Sequence, residues 1–507
     1  MTDKSSSTMG DRLRTLSPAK REILLRKLER AGRTSAEASV PIAKSAGEQM
    51  QPLLPSQLQV WFHEQQATQG TANNLSFAMK LTGNLDVSAL QKSAEELAFR
   101  HQMLRARILH KNGMIMQEVQ AAAGLAVPVM DLRALNEDSS QNELRRIMRM
   151  EACQAFDLGT SPLLRLKVVR TASQQHFCLL TVHHIAADGW SIGIIVNELS
   201  QLYGAYFAGH SSPLEPLPVQ YMDYVHAHLQ SLKNSPDEEH LDYWREQYAE
   251  LPEPLRLPLR GVVDDCAASE VARAPVNISA VLRDELRRLG RLEDATPFIV
   301  LMAGFQLLLS VCTDQNDIVV GVPIANRTRP FSDRLVGMFV TLLPVRIQLR
   351  NRAISFRGLL KSVRETMLAA YAHQEVPFER LLESLRLDRT ERTQPLVQAV
   401  LSMDDLPRLP PTQEIAGLRM TPIVLENEAA KFDWVLNLVQ LEVGIQGWLE
   451  YDRKYFSPTT IARAVKKYVQ ILQDAVKAPD TPLDQVLWTR SSDLEIGDES
   501  LSATFAF

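Results

Sequence analysis

From "QPLLPSQLQVWF" to about residue 230, apolar and polar positions alternate between two periods, and each change of period predicts an element. "SALQKSAEELAFRHQML" is an amphipathic helix and "LLRLKVVR" a strand. "QHFCLLTVHH" is apolar on both faces, the pattern of a strand central in its sheet. After it, Ile192, Ile195, Val196, Leu199, Leu202, Tyr203 and Tyr206 fall at helical spacing. The polar, proline-broken "LKNSPDEEH" suits a boundary between lobes. Beyond it, strand-like "NDIVVGVPI", "FVTLLPVRIQL" and "FDWVLNLVQLEVGIQGWLEY" interleave with helices such as "ATPFIVLMAGFQLLLSVC". "DLPRLPPTQEIAGLRM" reads as a long irregular crossing. The fold class is therefore mixed α/β, and 507 residues exceed what one hydrophobic core holds.

Composition narrows the class. Hydrophobic residues at 45% and charged residues at 23% match an ordinary globular protein. A net charge of −5 does not suit a nucleic-acid or anionic-membrane binder, and no apolar run is long enough to span a bilayer. The N-terminus lacks a secretory pattern, so a cytoplasmic protein is expected; a monomer is expected as well. Cys153, Cys178, Cys266 and Cys312 form no CxxC pair and read as reduced thiols. His226 and His228 are two apart with no third ligand at a recognisable spacing, so no metal is expected. The first fifty residues carry ten Lys/Arg against six Asp/Glu. Within them "LSPAKREILLRKLERAG" predicts one basic helix, either packed on the body or docking an acidic partner. The acidic end "DLEIGDESLSATFAF" is either a frayed terminus or a short docking motif.

The chemistry centres on "LLTVHHIAADGWS". If the strand keeps its pleat, His183 and His184 point to opposite faces and one alone serves a site. Gly189 allows a tight strand-to-helix turn, Asp188 is placed to orient backbone or meet an arginine, and Ser191 is a candidate helix cap. A lone imidazole can accept a proton from an amine or hydroxyl, or can orient that nucleophile without full transfer. No GxSxG elbow is present and no cysteine carries a catalytic signature.

These residues resemble the HHxxxDG signature of the condensation domains of nonribosomal peptide synthetases, within the chloramphenicol-acetyltransferase-like superfamily. The resemblance continues in order through "SQLQVWF", "RHQMLRARI", "FDLGTSPLLR", "YMDYVHA", "GVPIANR", "VGMFVTLLPVR", "HQEVPFERL" and "RTQPLVQ", over roughly residues 50 to 480. It implies two acetyltransferase-like lobes in a V around a central tunnel, with boundaries at 50–232 and 233–485. The segments 1–49 and 486–507 then lie outside the lobes, the first as a possible docking element. It also implies a floor loop near 321–345 and a latch near 404–430. His184 becomes the catalytic residue, and His183, Asp188, Gly189 and Arg327 become supports, with Asp188 salt-bridged to Arg327. Trp190, Ser191, Thr341 and Leu342 are the tunnel candidates. Thr341-Leu342 departs from the family's usual Asn-Thr, which points to an unusual acceptor.

The reaction implied is acyl transfer from the 4'-phosphopantetheine thioester of a donor carrier protein to an amine or hydroxyl, carrier-bound or free. No bound cofactor is implied. No adenylation or carrier pattern is seen, so the expectation is a free-standing enzyme meeting its carriers in trans. An epimerisation domain fits the "RHQMLR" and "HQEVPFE" segments less well, and a heterocyclisation domain would replace the first histidine with Asp. An acyl-CoA-dependent acyltransferase and a non-catalytic recruitment domain are the remaining alternatives.

Overall fold

In this computed structural model the described residues are 50–66, 73–121, 124–234, 238–258, 271–349, 353–387, 396–403, 412–424 and 431–485. The expected basic helix at 16–32, Cys266, both ends of the crossing and the acidic tail lie outside them. The chain runs from β1 (Met50–Pro52) and α1 (Pro55–Gln66) to β2 (Asn74–Thr82), α2 (Val87–Arg100), β3 (Ala106–Lys111), β4 (Met114–Val119) and β5 (Val129–Asp131). It continues through α3 (Glu137–Cys153), β6 (Leu164–Ala172), β7 (Gln175–His183), α4 (Gly189–Phe207), α5 (Tyr221–Asn234) and α6 (Glu238–Gln247). Next come β8 (Val271–Ser279), α7 (Ala280–Leu292), α8 (Pro297–Thr313), β9 (Asp317–Ile324) and β10 (Thr341–Gln348). Then follow α9 (Phe356–Ala372), α10 (Phe378–Ser384), β11 (Ala399–Met403), β12 (Gln413–Ile415) and β13 (Leu418–Val424). The last described elements are β14 (Trp434–Leu441), β15 (Gly444–Asp452) and α11 (Pro458–Lys477).

Two mixed six-stranded sheets carry the fold, ordered β12-β13-β2-β7-β6-β5 and β10-β9-β11-β14-β15-β8, beside a small β1-β4-β3 sheet. β7 sits inside the first, antiparallel to both β2 and β6. Its odd residues Phe177 and Leu179 pack with Leu144 and Ile147 of α3, and its even residues Cys178, Leu180 and Val182 enter the larger core. Both faces are covered, which is why the run is continuously apolar. In the second sheet, α8 is capped by Thr296, begins with Pro297 and buries most of its circumference, as an all-apolar helix must. No single described helix is long and apolar enough to cross a membrane.

Two stretches differ from the sequence reading. The "FDWVLNLVQLEVGIQGWLEY" run is a hairpin of β14 and β15, turning at Glu442-Val443, where polar residues are too few to break the apolar pattern. The crossing is not wholly irregular. β12 and β13 form a hairpin whose turn residues Ala416 and Gly417 take positive φ of 54° and 74°, and β13 adds to the edge of the first sheet beside β2. A strand that comes between β11 and β14 in the chain thus completes the other sheet.

A second connection runs the same way. The loop between β9 and β10 places Leu335, Val336, Met338 and Phe339 in the core of the first sheet. Tyr221 of α5 donates its hydroxyl to Met338 O at 2.6 Å and meets Phe339 edge-to-face. The Tyr221 ring lies so close to Gly337 that a Cβ there would sit 2.0 Å from its Cδ2. Beside it the Asp188 carboxylate, buried at the start of α4, accepts from Arg327 Nη2 (2.8 Å), Phe339 N (3.1 Å), Ser191 N (2.8 Å) and the Ser191 hydroxyl (2.7 Å). Arg327 also donates to Ser332 O and Leu335 O and stacks 4.0 Å from the Phe339 ring.

Two stability outcomes are expected. Gly337→Ala forces the buried Tyr221 ring to move and costs about 1–3 kcal/mol, read as a lowered urea midpoint. Asp188→Ala strands the Arg327 guanidinium and costs about 3–5 kcal/mol by the same measurement. An unchanged midpoint in Asp188→Ala would show that this cluster does not hold the loop.

Candidate active site

The β7 ladder ends at His183, opposite Asn74, and His184 begins the turn into α4. The pleat places His183 on the α3 side, and the turn, rather than the pleat, sets the direction of His184. His184 N still donates to Asn73 O at 2.8 Å, which holds the first turn residue against the sheet.

The two imidazoles are held in opposite tautomers. His184 Nδ1 lies 2.8 Å from Ala187 O, a carbonyl that can only accept, so Nδ1 carries the proton and Nε2 carries the lone pair. His183 Nδ1 accepts from Ile185 N at 3.2 Å, so its proton is on Nε2, facing Glu64 Oε2 at 3.4 Å. His183 is fully buried, with Phe156 edge-to-face at 5.8 Å, and the Arg165 guanidinium stacks 3.8 Å from the centre of the Phe156 ring. His184 is half-buried. Burial, and next the nearby Lys431 ammonium, push His184 down to about 3, so its imidazole is neutral at physiological pH. Burial also lowers His183, against the opposing pull of Glu64.

Three residues outside the motif complete the surroundings. Gln57, fully buried on α1, donates to Ile185 O at 3.0 Å and pins the turn after the histidines. Two helical turns later on the same face, Glu64 receives Asn73 Nδ2 at 2.9 Å. Burial raises the Glu64 carboxyl, but His183, Asn73 and Lys431 together bring it below the usual carboxylate range. Lys431 stands three residues before β14 and acts on Glu64 and both histidines. The seven-residue spacing of Gln57 and Glu64 is a signal in the sequence; nothing in "AKFDW" singles out Lys431. Glu64 also lines an open cavity of about 530 Å3 with Trp61, His110, Phe156 and Asp157.

The remaining candidates divide. Asp188 and Arg327 form the buried pair described above. Ser191 does not cap α4: Asp188 is the N-cap, and the fully buried Ser191 hydroxyl instead joins Asp188, Arg327 and Gly337. A carboxylate one turn earlier, able to reach the third helical amide, takes the cap. Gly189 is the first residue of α4 and has no positive φ. Trp190 donates Nε1 to Asp333 O at 3.1 Å, touching the loop before β10. Thr341 and Leu342, neighbours on β10, face opposite ways. Thr341 lines a cavity of about 20 Å3 with Ser56, Tyr224, His228 and Asn326, whereas Leu342 packs on the core of the second sheet. Burial pushes the Cys178 and Cys312 thiols up to about 12, which removes both as nucleophiles.

A family model described as "Condensation domain" matches residues 47–495. The chain is 34% identical over 434 residues to malpinin synthetase of Mortierella alpina, an alignment covering 85% of this chain and 6% of that synthetase. It is 31% identical over 474 residues to phosphinothricin tripeptide synthetase PhsC of Streptomyces viridochromogenes, covering 92% of this chain and 43% of the synthetase. The fold matches the X-domain from teicoplanin biosynthesis with a TM-score of 0.79 at 24% identity, over 87% of this chain and 98% of that one. The condensation domain of the Monacolin K polyketide synthase MokA gives a TM-score of 0.72 at 21% identity, over 86% and 99%. The chain spans less than a tenth of the malpinin synthetase it matches and under half of PhsC. On the extent of the family match and these identities, the chain belongs to the condensation domain family.

Proposed function

We propose that this chain catalyses acyl transfer from a carrier-bound phosphopantetheine thioester to an amine or hydroxyl acceptor, forming an amide or ester. The observation that carries it is the state of His184. Its Nδ1–H is fixed on Ala187 O, its ring is neutral, and Nε2 presents a lone pair at the end of β7. An acceptor N–H or O–H hydrogen-bonded to Nε2 is oriented for attack on the thioester carbonyl, and its proton has a place to go. Asp188 and Arg327 act indirectly, by fixing the turn on which His184 sits. Phosphopantetheine belongs to the substrate and arrives on the carrier, so reconstitution with separately expressed carriers also tests whether the chain works in trans. Function in the cytoplasm, where such carriers are loaded, goes with this reading.

Recruitment of a partner without catalysis is the competing reading, since one structure of similar fold is a complex of the X-domain and OxyB from teicoplanin biosynthesis. The two diverge at His184, which a recruitment platform does not need.

The test is intact-protein mass spectrometry of loaded donor carriers with a panel of amine and hydroxyl acceptors. His184→Ala is expected to lower single-turnover transfer about 100- to 10,000-fold. Transfer as fast as wild type would remove the catalytic role. A hydroxyl acceptor, which does not itself titrate, gives the pH dependence. An ordinary imidazole would lose its lone pair below about 6.5. With His184 at about 3, the rate shows no such loss between pH 8 and pH 5.

A further inference from the structure

Two peptide groups flank the His184 Cα, and their planes together fix the two soft backbone angles of that residue. Their amides are His184 N and Ile185 N. His184 N donates to Asn73 O at 2.8 Å, and Ile185 N donates to His183 Nδ1 at 3.2 Å. Each acceptor is itself held. Asn73 is buried, and its side-chain Nδ2 donates to Glu64 Oε2 at 2.9 Å. His183 is buried as well, and its Nε2 faces the same oxygen at 3.4 Å. One carboxylate oxygen on α1 thus stands behind both peptides that set the backbone of His184.

The two arms use that oxygen differently. On the first, Glu64 anchors the side chain of Asn73, the residue whose carbonyl receives His184 N. On the second, it sets a tautomer. Ile185 N needs a lone pair on His183 Nδ1, so the ring proton must sit on Nε2. Nε2 has no other acceptor, and Glu64 Oε2 is the one its proton faces. Without Glu64 that buried N–H would have no partner, and the other tautomer would set Nδ1–H against the Ile185 amide. Either outcome loosens the turn. The Glu64 side chain is only 7% exposed. Burial raises its carboxyl, but His183, Asn73 and Lys431 bring it below the usual carboxylate range, so it is charged at neutral pH.

We propose that Glu64 is a positioning residue for His184: one carboxylate oxygen aligns both flanking peptides, through Asn73 on one side and His183 on the other. The proposal rests on the acyl-transfer reading of His184. With those peptides fixed and the ring tied to Ala187 O at 2.8 Å, the Nε2 lone pair has one direction. A displacement of about 1 Å at that atom costs on the order of 100-fold in rate. Gln57, two helical turns earlier on α1, holds Ile185 O at 3.0 Å, so a single helix grips the turn at three places.

The experiment measures kcat and KM of the full chain at neutral pH, with the acyl-pantetheine thioester of whichever acyl group shows His184-dependent transfer. Glu64→Met keeps the side-chain length without an acceptor, and is expected to lower kcat about 100-fold with KM within about threefold. Glu64→Gln, whose amide oxygen can receive both donors, should stay within about tenfold of wild type. Asn73→Ala cuts one arm and is expected to be about tenfold slower. Because that arm runs through Glu64, the double variant should be no slower than Glu64→Met alone. A merely structural pair would multiply its losses and gain nothing from glutamine. The proposal is overturned if Glu64→Met transfers within about twofold of wild type while His184→Ala has lost activity, or if Glu64→Gln falls as far as Glu64→Met. Imidazole 15N spectra add a readout that needs no turnover. Wild type is expected to show His183 protonated on Nε2 alone, and Glu64→Met a mixture of tautomers; an unchanged single tautomer there also overturns the proposal. Thermal unfolding reports whether each variant folds. If Glu64→Met does not, Asn73→Ala decides, and a rate within about twofold of wild type counts against Glu64. Undiminished transfer in His184→Ala would instead refute the acyl-transfer reading itself, and the tautomer spectra would still judge the hold of Glu64 on the turn.

Discussion

One buried carboxylate holds the site in shape. Asp188 has two oxygens and receives donors from three directions: its own helix, the arginine that follows β9, and the amide of Phe339 just before β10. A carboxylate removed from water at this depth is tolerable only when such donors replace its hydration. The bonds therefore fix the partners as firmly as the partners fix the acid. The turn carrying His184 cannot shift without disturbing the loop that crosses from the second sheet, and the reverse holds as well. Tyr221 against Gly337 makes the same junction sterically rigid. The placement of the His184 imidazole is thus set by neighbours outside its own turn.

Much of this is legible in residue patterns. Period-2 and period-3.6 runs locate the strand before the histidines and the helix after them, and ordered motifs point to the family. The pair Asp188–Arg327, implied by that resemblance, lies 2.8 Å apart. What escapes has physical reasons. The β14–β15 turn has an apolar residue, Val443, at its tip, so hydropathy runs through it without a break. β12 is three residues long, and β13 contains Pro422, which an edge-side strand tolerates but which argues against a strand on paper. Ser191 suggests a cap because serine caps helices; Asp188 takes that place because its carboxylate serves the helix and Arg327 together. Glu64 and Lys431 come from elements remote in the chain, and only tertiary folding brings their charges to the histidines.

The histidine pair also shows how chemically identical neighbours are given different work. A carbonyl acceptor fixes one ring's proton on Nδ1, and an amide donor drives the other's to Nε2. Each ring depends on its own peptide, the Ala187 carbonyl for His184 and the Ile185 amide for His183, so the whole turn has to be held. Gln57, fully buried and bound to the carbonyl of Ile185, steadies the residue whose amide sets the His183 tautomer.

The hairpin β12–β13 bears on how such a chain is made. Thr421 pairs with Lys80, so the first sheet lacks a strand until almost the whole protein has been synthesised. Until then β2 is a naked edge with unpaired amides and carbonyls on an apolar layer, the kind of surface that invites association with other chains. A fragment that ends before β12 would therefore leave the β2 edge of the first sheet uncovered. For anyone recombining such chains, a cut in the polar stretch near residue 235 separates the sequence at a convenient linker but divides a sheet from its own last strands.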